Sequence, residues 1–215
     1  MKRTIAFKTL GCRLNQYETE ALASQFSRND YDIVEFENPA DVYIVNSCTV
    51  TNQSDQKTRT VVNHAARAKN RPVIVVMGCM SPEQQKHFST NSSVTYMVDN
   101  EKKSSVFQLV DAHFKGEILE RELLPNDRFS YQLTDPLFHT RSFIKIQDGC
   151  DNFCTFCIIP MVRGMAVSRP MVEILENIRQ AVENGYKEIV ITGVNISRYY
   201  FDGIHFEDLI EKIPE

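Results

Sequence analysis

The chain opens with two alternating patterns of apolar and polar positions. Short, β-rich apolar runs near Thr4–Thr9, Asp32–Phe36, Val42–Val45, Val73–Met77 and Val94–Val98 read as strands. Between them, Asn15–Ser27, Gln53–Lys69, Pro82–Phe88 and Lys102–Phe114 read as helices. Short strands separated by helices predict an α/β fold, an open and mostly parallel sheet flanked by helices. From Gly116 to about Thr140 the periodicity degrades. The stretch Glu120-Arg-Glu-Leu-Leu-Pro125 and the later Asp135-Pro136 read as an interdomain connection.

A second α/β pattern follows. Ser142–Gln147 reads as a strand, and Ser168 and Pro170 precede a helix running to about Asn184 and stopped by Gly185. Glu188–Thr192 is a second apolar strand, followed by a loop over Gly193–Gly203 and a short amphipathic helix, Phe206–Ile213. The expected organisation is therefore a domain over 1–115, a connection over 116–140 and a second domain over 141–215. Neither an internal repeat nor a low-complexity tract interrupts it.

Composition changes this picture little. The 215 residues are 42% hydrophobic and 24% charged, as in ordinary globular proteins. A net charge of −4 argues against general coating of a polyanion, but leaves room for a local basic groove. The first residues lack the apolar core of a signal peptide, and no apolar run reaches the length of a membrane span. A cytoplasmic protein without a membrane partner is the expectation. In that compartment thiols stay reduced, and cysteine clusters mean metal more often than disulfide.

The six cysteines carry the chemistry. Cys150, Cys154 and Cys157 form a C-x3-C-x2-C run between a predicted strand and a predicted helix. Three thiolates in so short a loop can hold three irons of a [4Fe–4S] cluster and leave the fourth iron open. That arrangement suits a cluster that binds S-adenosylmethionine (SAM) and cleaves it to a radical. A zinc knuckle or a ferredoxin-like cluster is the plainer alternative, but both normally use a fourth protein ligand. Cys12, Cys48 and Cys79 are far apart in sequence, yet each follows a predicted strand. In an open parallel sheet the carboxyl ends of the strands line one edge, where ligands gather. Each cysteine taken alone reads as a buried small side chain; three together at strand ends read as a metal site. His64 and His87 are the available fourth ligands for zinc, and a second open cluster fits a three-cysteine set better.

The motifs resemble those of radical SAM enzymes, in particular the tRNA methylthiotransferase family. The residues concerned are Gln147-Asp-Gly-Cys-Asp-Asn-Phe-Cys-Thr-Phe-Cys-Ile-Ile-Pro160, Arg163-Gly164 and Ser168-Arg-Pro170. In the first domain they are Thr9-Leu-Gly-Cys-Arg-Leu-Asn-Gln-Tyr-Glu-Thr-Glu20, Val45-Asn-Ser-Cys-Thr-Val-Thr51 and Gly78-Cys79. The wording is closer to the members acting on threonylcarbamoyladenosine in tRNA than to those acting on isopentenyladenosine. The resemblance implies two [4Fe–4S] clusters, one on Cys150, Cys154 and Cys157 that binds SAM, and an auxiliary one on Cys12, Cys48 and Cys79. It implies insertion of sulfur and a methyl group at C2 of the target adenosine beside the anticodon. It also implies a tRNA substrate, a flavodoxin- or ferredoxin-like electron donor, and a sulfur donor it does not name. Gly193 and Asn195 fall where the family binds SAM's methionine end. Phe153 or Phe156 is a candidate to pack on the SAM adenine, and equally a candidate for the core. Arg163 and Arg169 are candidates for RNA phosphate or SAM carboxylate contact, although a solvated loop arginine is the commoner case. Lys57, Arg59, Arg67, Lys69 and Arg71 could touch tRNA, although a solvated helix face is the plainer reading.

Two departures stand out. Met165-Ala-Val follows Arg163-Gly164 where the family has another basic residue. The family's radical domain is an open barrel of several βα units followed by a small RNA-binding β-barrel, whereas two βα units are legible here. The expectation is the amino-terminal part of such an enzyme, with a truncated barrel. A non-catalytic iron–sulfur fragment is the alternative.

Overall fold

The computed structural model describes residues 2–29, 31–48, 52–68, 70–120, 124–131 and 140–213. They form two compact units, Met1–Tyr131 and Gln132–Glu215.

In the first unit five strands pair in parallel in the order β2-β1-β3-β4-β5: β1 Arg3–Thr9, β2 Tyr31–Val34, β3 Val42–Cys48, β4 Val73–Cys79 and β5 Tyr96–Val98. Helices α1 (Arg13–Arg28), α2 (Asn52–Ala66), α3 (Pro82–Ser89) and α4 (Val106–Lys115) make the connections, and a 3-10 segment, Asn100–Ser105, leads into α4. The parallel sheet expected from the alternating pattern is present. Its chain order reverses between β1 and β3, the switch point at which ligands enter an open α/β sheet.

Strand alternation assigns the two faces. Ala6, Tyr43, Val45, Ile74 and Val76 point to one side, where Val62 and Ala65 of α2 and Phe88 of α3 close a core. Residues of opposite parity face the other side. There Phe26 of α1 meets the rings of Phe7, Tyr31 and Phe107 edge to face. Nearly every residue of β3 and β4 is buried, as a central parallel sheet requires.

Both central strands run further than the sequence pattern suggests. Pairing continues through Asn46↔Met77, Ser47↔Gly78 and Cys48↔Cys79, so Cys48 and Cys79 end the strands rather than follow them. The polar Asn46 and Ser47 look like a strand end, but both are buried inside the ladder. Part of the expected 116–140 connection lies outside the described residues. Of the rest, Leu124–Tyr131 belongs to the first unit: Ser104 Oγ donates to the Asp127 carbonyl at 2.9 Å, and Tyr131 meets Tyr17 edge to face.

In the second unit β6 (Ser142–Lys145) pairs in parallel with β9 (Ile189–Thr192), and α6 (Met171–Glu183) crosses between them. Ile144 and Ile146 pack with Ile174 and Ile178 of α6 and with Leu209 of α7 (Phe206–Lys212). These are the two expected βα units. The expected strand Ser142–Gln147 divides after Lys145. Gln147–Asp148 (β7) pairs antiparallel with Val167–Ser168 (β8), closing the cysteine loop at its base. The loop contains a one-turn helix, α5 (Ile159–Arg163). The Gly193–Gly203 segment contains the start of a tight hairpin, β10 (Tyr200–Phe201) with β11 (Ile204–His205). Among the described residues no helix is long and apolar enough to cross a membrane.

Candidate functional site

The carboxyl edge of the first sheet collects three cysteines. Cys48 and Cys79 sit side by side on the face covered by α1, because their strands pair in direct register. Both are buried; Cys12, the N-cap of α1, is exposed. Gly11 lets the turn before Cys12 come this close. A Cβ there would lie 2.6 Å from Cys48 Cβ and 3.0 Å from Cys48 Sγ, and its φ of +116° is a conformation that side-chain-bearing residues rarely adopt. Gly78, with φ +121°, is equally constrained, since a Cβ would lie 2.3 Å from the Ser47 carbonyl oxygen. Of the matching motif residues, Thr49–Thr51 lie outside the described residues.

Polar side chains reinforce this edge. Asn15 donates to the carbonyls of Leu10 and Ser47, at 2.9 and 2.8 Å. Asn46 donates to the Asn15 carbonyl at 3.0 Å. Behind them Glu18 and Lys103 form an ion pair with no exposed surface on either side chain.

In the second unit the cysteine run is held at its base rather than along its length. Asp148 is buried and bonds Lys145 Nζ at 2.6 Å and Arg163 Nη1 at 2.8 Å; it also accepts from its own loop's Gly149 N–H at 2.9 Å. Burial alone would push the Asp148 carboxyl up. The adjacent Lys145 and Arg163 charges more than offset that and hold it below the usual carboxylate range. Cys150 N–H donates to the Gly164 carbonyl at 3.1 Å. Gly149, with φ +74°, has no space for a side chain: a Cβ would lie 2.0 Å from the Met165 carbonyl oxygen. Above this base Cys150 and Cys157 are half-buried and Cys154 is exposed.

A cleft of about 150 Å³ opens beside Cys150, lined by Gln147, Asp151, Asn152, Ala166, Asn195 and Arg198 as well. Gln147 connects the strands around it. Its Oε1 accepts from the Asn195 N–H at 2.8 Å, and its Nε2 donates to the Gly149 carbonyl at 2.8 Å. Gly193 packs on Gln147, with a Cβ there only 3.1 Å from Gln147 Cβ.

The structure therefore brings Asn195 to the cleft beside Cys150 and puts Gly193 against the cleft's organising residue. Phe156 does not line the cleft; it is 92% exposed, and Phe153 is 61% exposed. Arg163 and Arg169 are corrected outright. Arg163 is buried on Asp148, and Arg169 is buried on Glu173 and Asn177, so neither presents its guanidinium to solvent or phosphate. Lys57, Arg59, Arg67 and Arg71 are exposed, and Arg59 pairs with Asp55; Lys69 lies outside the described residues. His64 stacks on Phe36, and His87 meets Phe88 edge to face. Among the described residues no three His, Cys, Asp or Glu side chains are gathered as for one metal ion. Sequence reasoning missed Gln147, Asp148 and Lys145. The signal available was three polar residues of a predicted strand and its end converging on a glycine-rich loop.

Comparison with known proteins follows this division. Residues 4–99 match the family described as Uncharacterized protein family UPF0004, and residues 144–214 match the Radical SAM superfamily. The chain is similar to the threonylcarbamoyladenosine tRNA methylthiotransferase MtaB of Bacillus subtilis. Identity is 39% over 200 residues, covering 91% of this chain and 44% of that protein. It is similar to the protein of the same name from Thermotoga maritima, at 35% identity over 99% of this chain and 50% of that one. A tRNA-2-methylthio-N(6)-dimethylallyladenosine synthase of Chloroherpeton thalassium matches at 31% identity, over 98% of this chain and 48% of that protein. The chain thus spans about half the length of the curated relatives it matches. The fold also matches the radical S-adenosylmethionine methyltransferase TsrM from Kitasatospora setae. The TM-score is 0.64 at 13% identity, over 98% of this chain and 50% of that chain. The chain thus joins a segment that matches UPF0004 to one that matches the Radical SAM superfamily, and it aligns with the amino-terminal part of the methylthiotransferases it resembles.

Proposed function

We propose that this chain is the amino-terminal part of a radical SAM tRNA methylthiotransferase acting at C2 of threonylcarbamoyladenosine. What supports the reading is two sets of three cysteines, one along the edge at a sheet's switch point and one in a C-x3-C-x2-C loop, in a chain 39% identical over 200 residues to an enzyme of that name. On this reading the domains are 1–115 and 141–215, and the connection over 116–140 lends Leu124–Tyr131 to the first unit.

Both cysteine sets suit an iron–sulfur cluster. Each set supplies three free thiols, a soft donor type that suits iron–sulfur chemistry. A single zinc ion would draw its thiolates to about 3.8 Å from one another, given Zn–S bonds of about 2.3 Å. A cluster instead takes each thiolate on a different iron and tolerates wider spacing. Gly11 lets the turn before Cys12 pack on Cys48, and Gly149 lets the turn before Cys150 pack on Gly164 and Met165. When bound, the cluster on Cys150, Cys154 and Cys157 supplies the electron that splits SAM, and the one on Cys12, Cys48 and Cys79 presents the sulfur.

The chain's own residues supply orientation and shielding. Asp148 and its two cations fix the base of the cysteine loop. Gln147 holds Asn195 and Gly193 against that base, where their polar groups meet the amino-acid end of SAM. Phe153 and Phe156 present exposed rings that can stack on the adenine. A tRNA substrate implies the cytoplasm, an electron donor of the flavodoxin or ferredoxin type, and a sulfur donor.

The test is anaerobic reconstitution with iron and sulfide, followed by reduction with SAM and analysis for 5′-deoxyadenosine. Its formation, abolished by Cys154→Ala, together with a methylthio mass increase on tRNA in the longer protein, is the expected result. Colourless protein that binds zinc and forms no 5′-deoxyadenosine would overturn the proposal.

A further inference from the structure

We infer that Asn15 is a positioning residue for the Cys12/Cys48/Cys79 site. Its side-chain amide clamps the turn that carries Cys12 to the strand end that carries Cys48. The inference rests on the reading of that site as a cluster site.

Asn15 lies in the first turn of α1 and is fully buried. One amide nitrogen serves both segments: Nδ2 donates to the carbonyl of Leu10, two residues before Cys12, and to that of Ser47, immediately before Cys48. Both amide hydrogens are committed, so a flipped amide would turn its oxygen onto two carbonyls. The residue is also held from behind. Its backbone carbonyl accepts from Asn46 Nδ2 at 3.0 Å and from Thr19 Oγ1 at 2.9 Å. Thr19 in turn meets Thr9 Oγ1 at 2.8 Å and Asn46 Nδ2 at 3.1 Å.

The geometry separates this clamp from the metal chemistry. The remaining Asn15 atom, Oδ1, accepts from the Cys12 thiol at 3.9 Å, a contact that uses the proton iron replaces. The two clamp bonds involve no sulfur and persist when the thiolates are ligated. Gly11 closes the turn over the amide, with a Cβ there only 3.2 Å from Asn15 Nδ2. The spacing between Cys12 and Cys48 is therefore held by the backbone bond from the Leu10 N–H to the Asn46 carbonyl, at 2.8 Å, and beyond it by one side chain that is not itself a ligand. A protein group that orients a metal's ligands typically changes metal affinity when removed.

The experiment uses the full chain with Cys150, Cys154 and Cys157 replaced by serine, so that iron reports on the first site alone. After anaerobic reconstitution, iron per chain, the EPR spectrum of the reduced cluster and the rate of iron loss to bathophenanthroline are compared for three variants. Asn15→Asp keeps the size but cannot donate both bonds, and Asn15→Ala removes the amide. Both should lose iron about tenfold faster, as expected for two missing neutral hydrogen bonds, with an altered EPR spectrum. Thr19→Val removes neighbouring bonds but leaves the clamp, and should stay within about twofold of the parent with an unchanged spectrum. Asn15 variants that match the parent overturn the inference, as does a Thr19→Val variant that behaves like them. If neither Asn15 variant keeps the parent's near-ultraviolet circular dichroism, the residue is a folding element and the inference also fails. A parent that takes up no iron defeats the cluster reading instead, and so is distinguishable.

Discussion

The two sets of three cysteines are placed by opposite routes. For Cys12, Cys48 and Cys79 the sheet does the placing, along one edge. Two ligand candidates end adjacent central strands, and the third begins the helix at the switch point. At Cys150, Cys154 and Cys157 the sequence does the gathering, and the fold secures only the base of the loop through buried Asp148. The first design fixes donors along strands that are themselves buried core. The second leaves Cys154 and the neighbouring aromatic rings exposed at the tip. Where donors are far apart in sequence, rigidity has to come from the fold; where they are close, one anchored end is enough.

The largest expected effects test the anchors. Asp148→Ala removes the carboxylate that Lys145 and Arg163 share in the interior. It should lower unfolding stability by about 3–5 kcal/mol in urea denaturation and open the Cys150–Cys157 segment to protease. Glu18→Ala should have an effect of similar size by exposing Lys103's buried charge, again about 3–5 kcal/mol, without sensitising that segment. If Asp148→Ala left the segment protected, the claim of a loop anchored at its base would be wrong.

Backbone constraints come next. Gly149→Ala and Gly78→Ala each introduce a Cβ within 2.3 Å of a carbonyl oxygen at a positive φ. Each should destabilise by roughly 1–3 kcal/mol or more, read as a lower urea midpoint at unchanged slope. Gly193→Ala meets a side-chain methyl of Ile196 at 2.9 Å, at ordinary φ, and that group can yield. A smaller stability loss of about 1 kcal/mol is expected, together with weaker SAM binding by equilibrium dialysis. The smallest effect belongs to the exposed α2 face. Arg59→Ala breaks a solvent-exposed pair with Asp55 and should change stability by less than about 0.5 kcal/mol.

Much of this was legible in the residues, and for identifiable reasons. Strand–helix alternation identifies the parallel sheet, and the rule that ligands gather at carboxyl strand ends places Cys12, Cys48 and Cys79 along one edge. What escaped was polar residues in apolar roles. Asn46 and Ser47 read as the end of β3 but pair onward to Cys48, with Asn46 Nδ2 donating to the Asn15 carbonyl and to Thr19 Oγ1 on the adjoining helix. Arg163 and Arg169 read as ligand contacts or as solvated loop arginines, and neither reading anticipates their burial. Arg163 is held by Asp148, 15 residues away, and Arg169 by Glu173 four residues on and Asn177 eight residues on. The hairpin at Tyr200–His205 did have a local signal, Asp202-Gly203, whose positive φ values make the tight turn.

The central claim, two open clusters built by different means, is tested most directly by iron and sulfide per chain after anaerobic reconstitution. The wild-type chain should hold about eight irons, and about four should remain when either Cys12, Cys48 and Cys79 or Cys150, Cys154 and Cys157 are replaced by serine. A wild-type chain that stops at four, or in which one triple replacement removes all the iron, would contradict it.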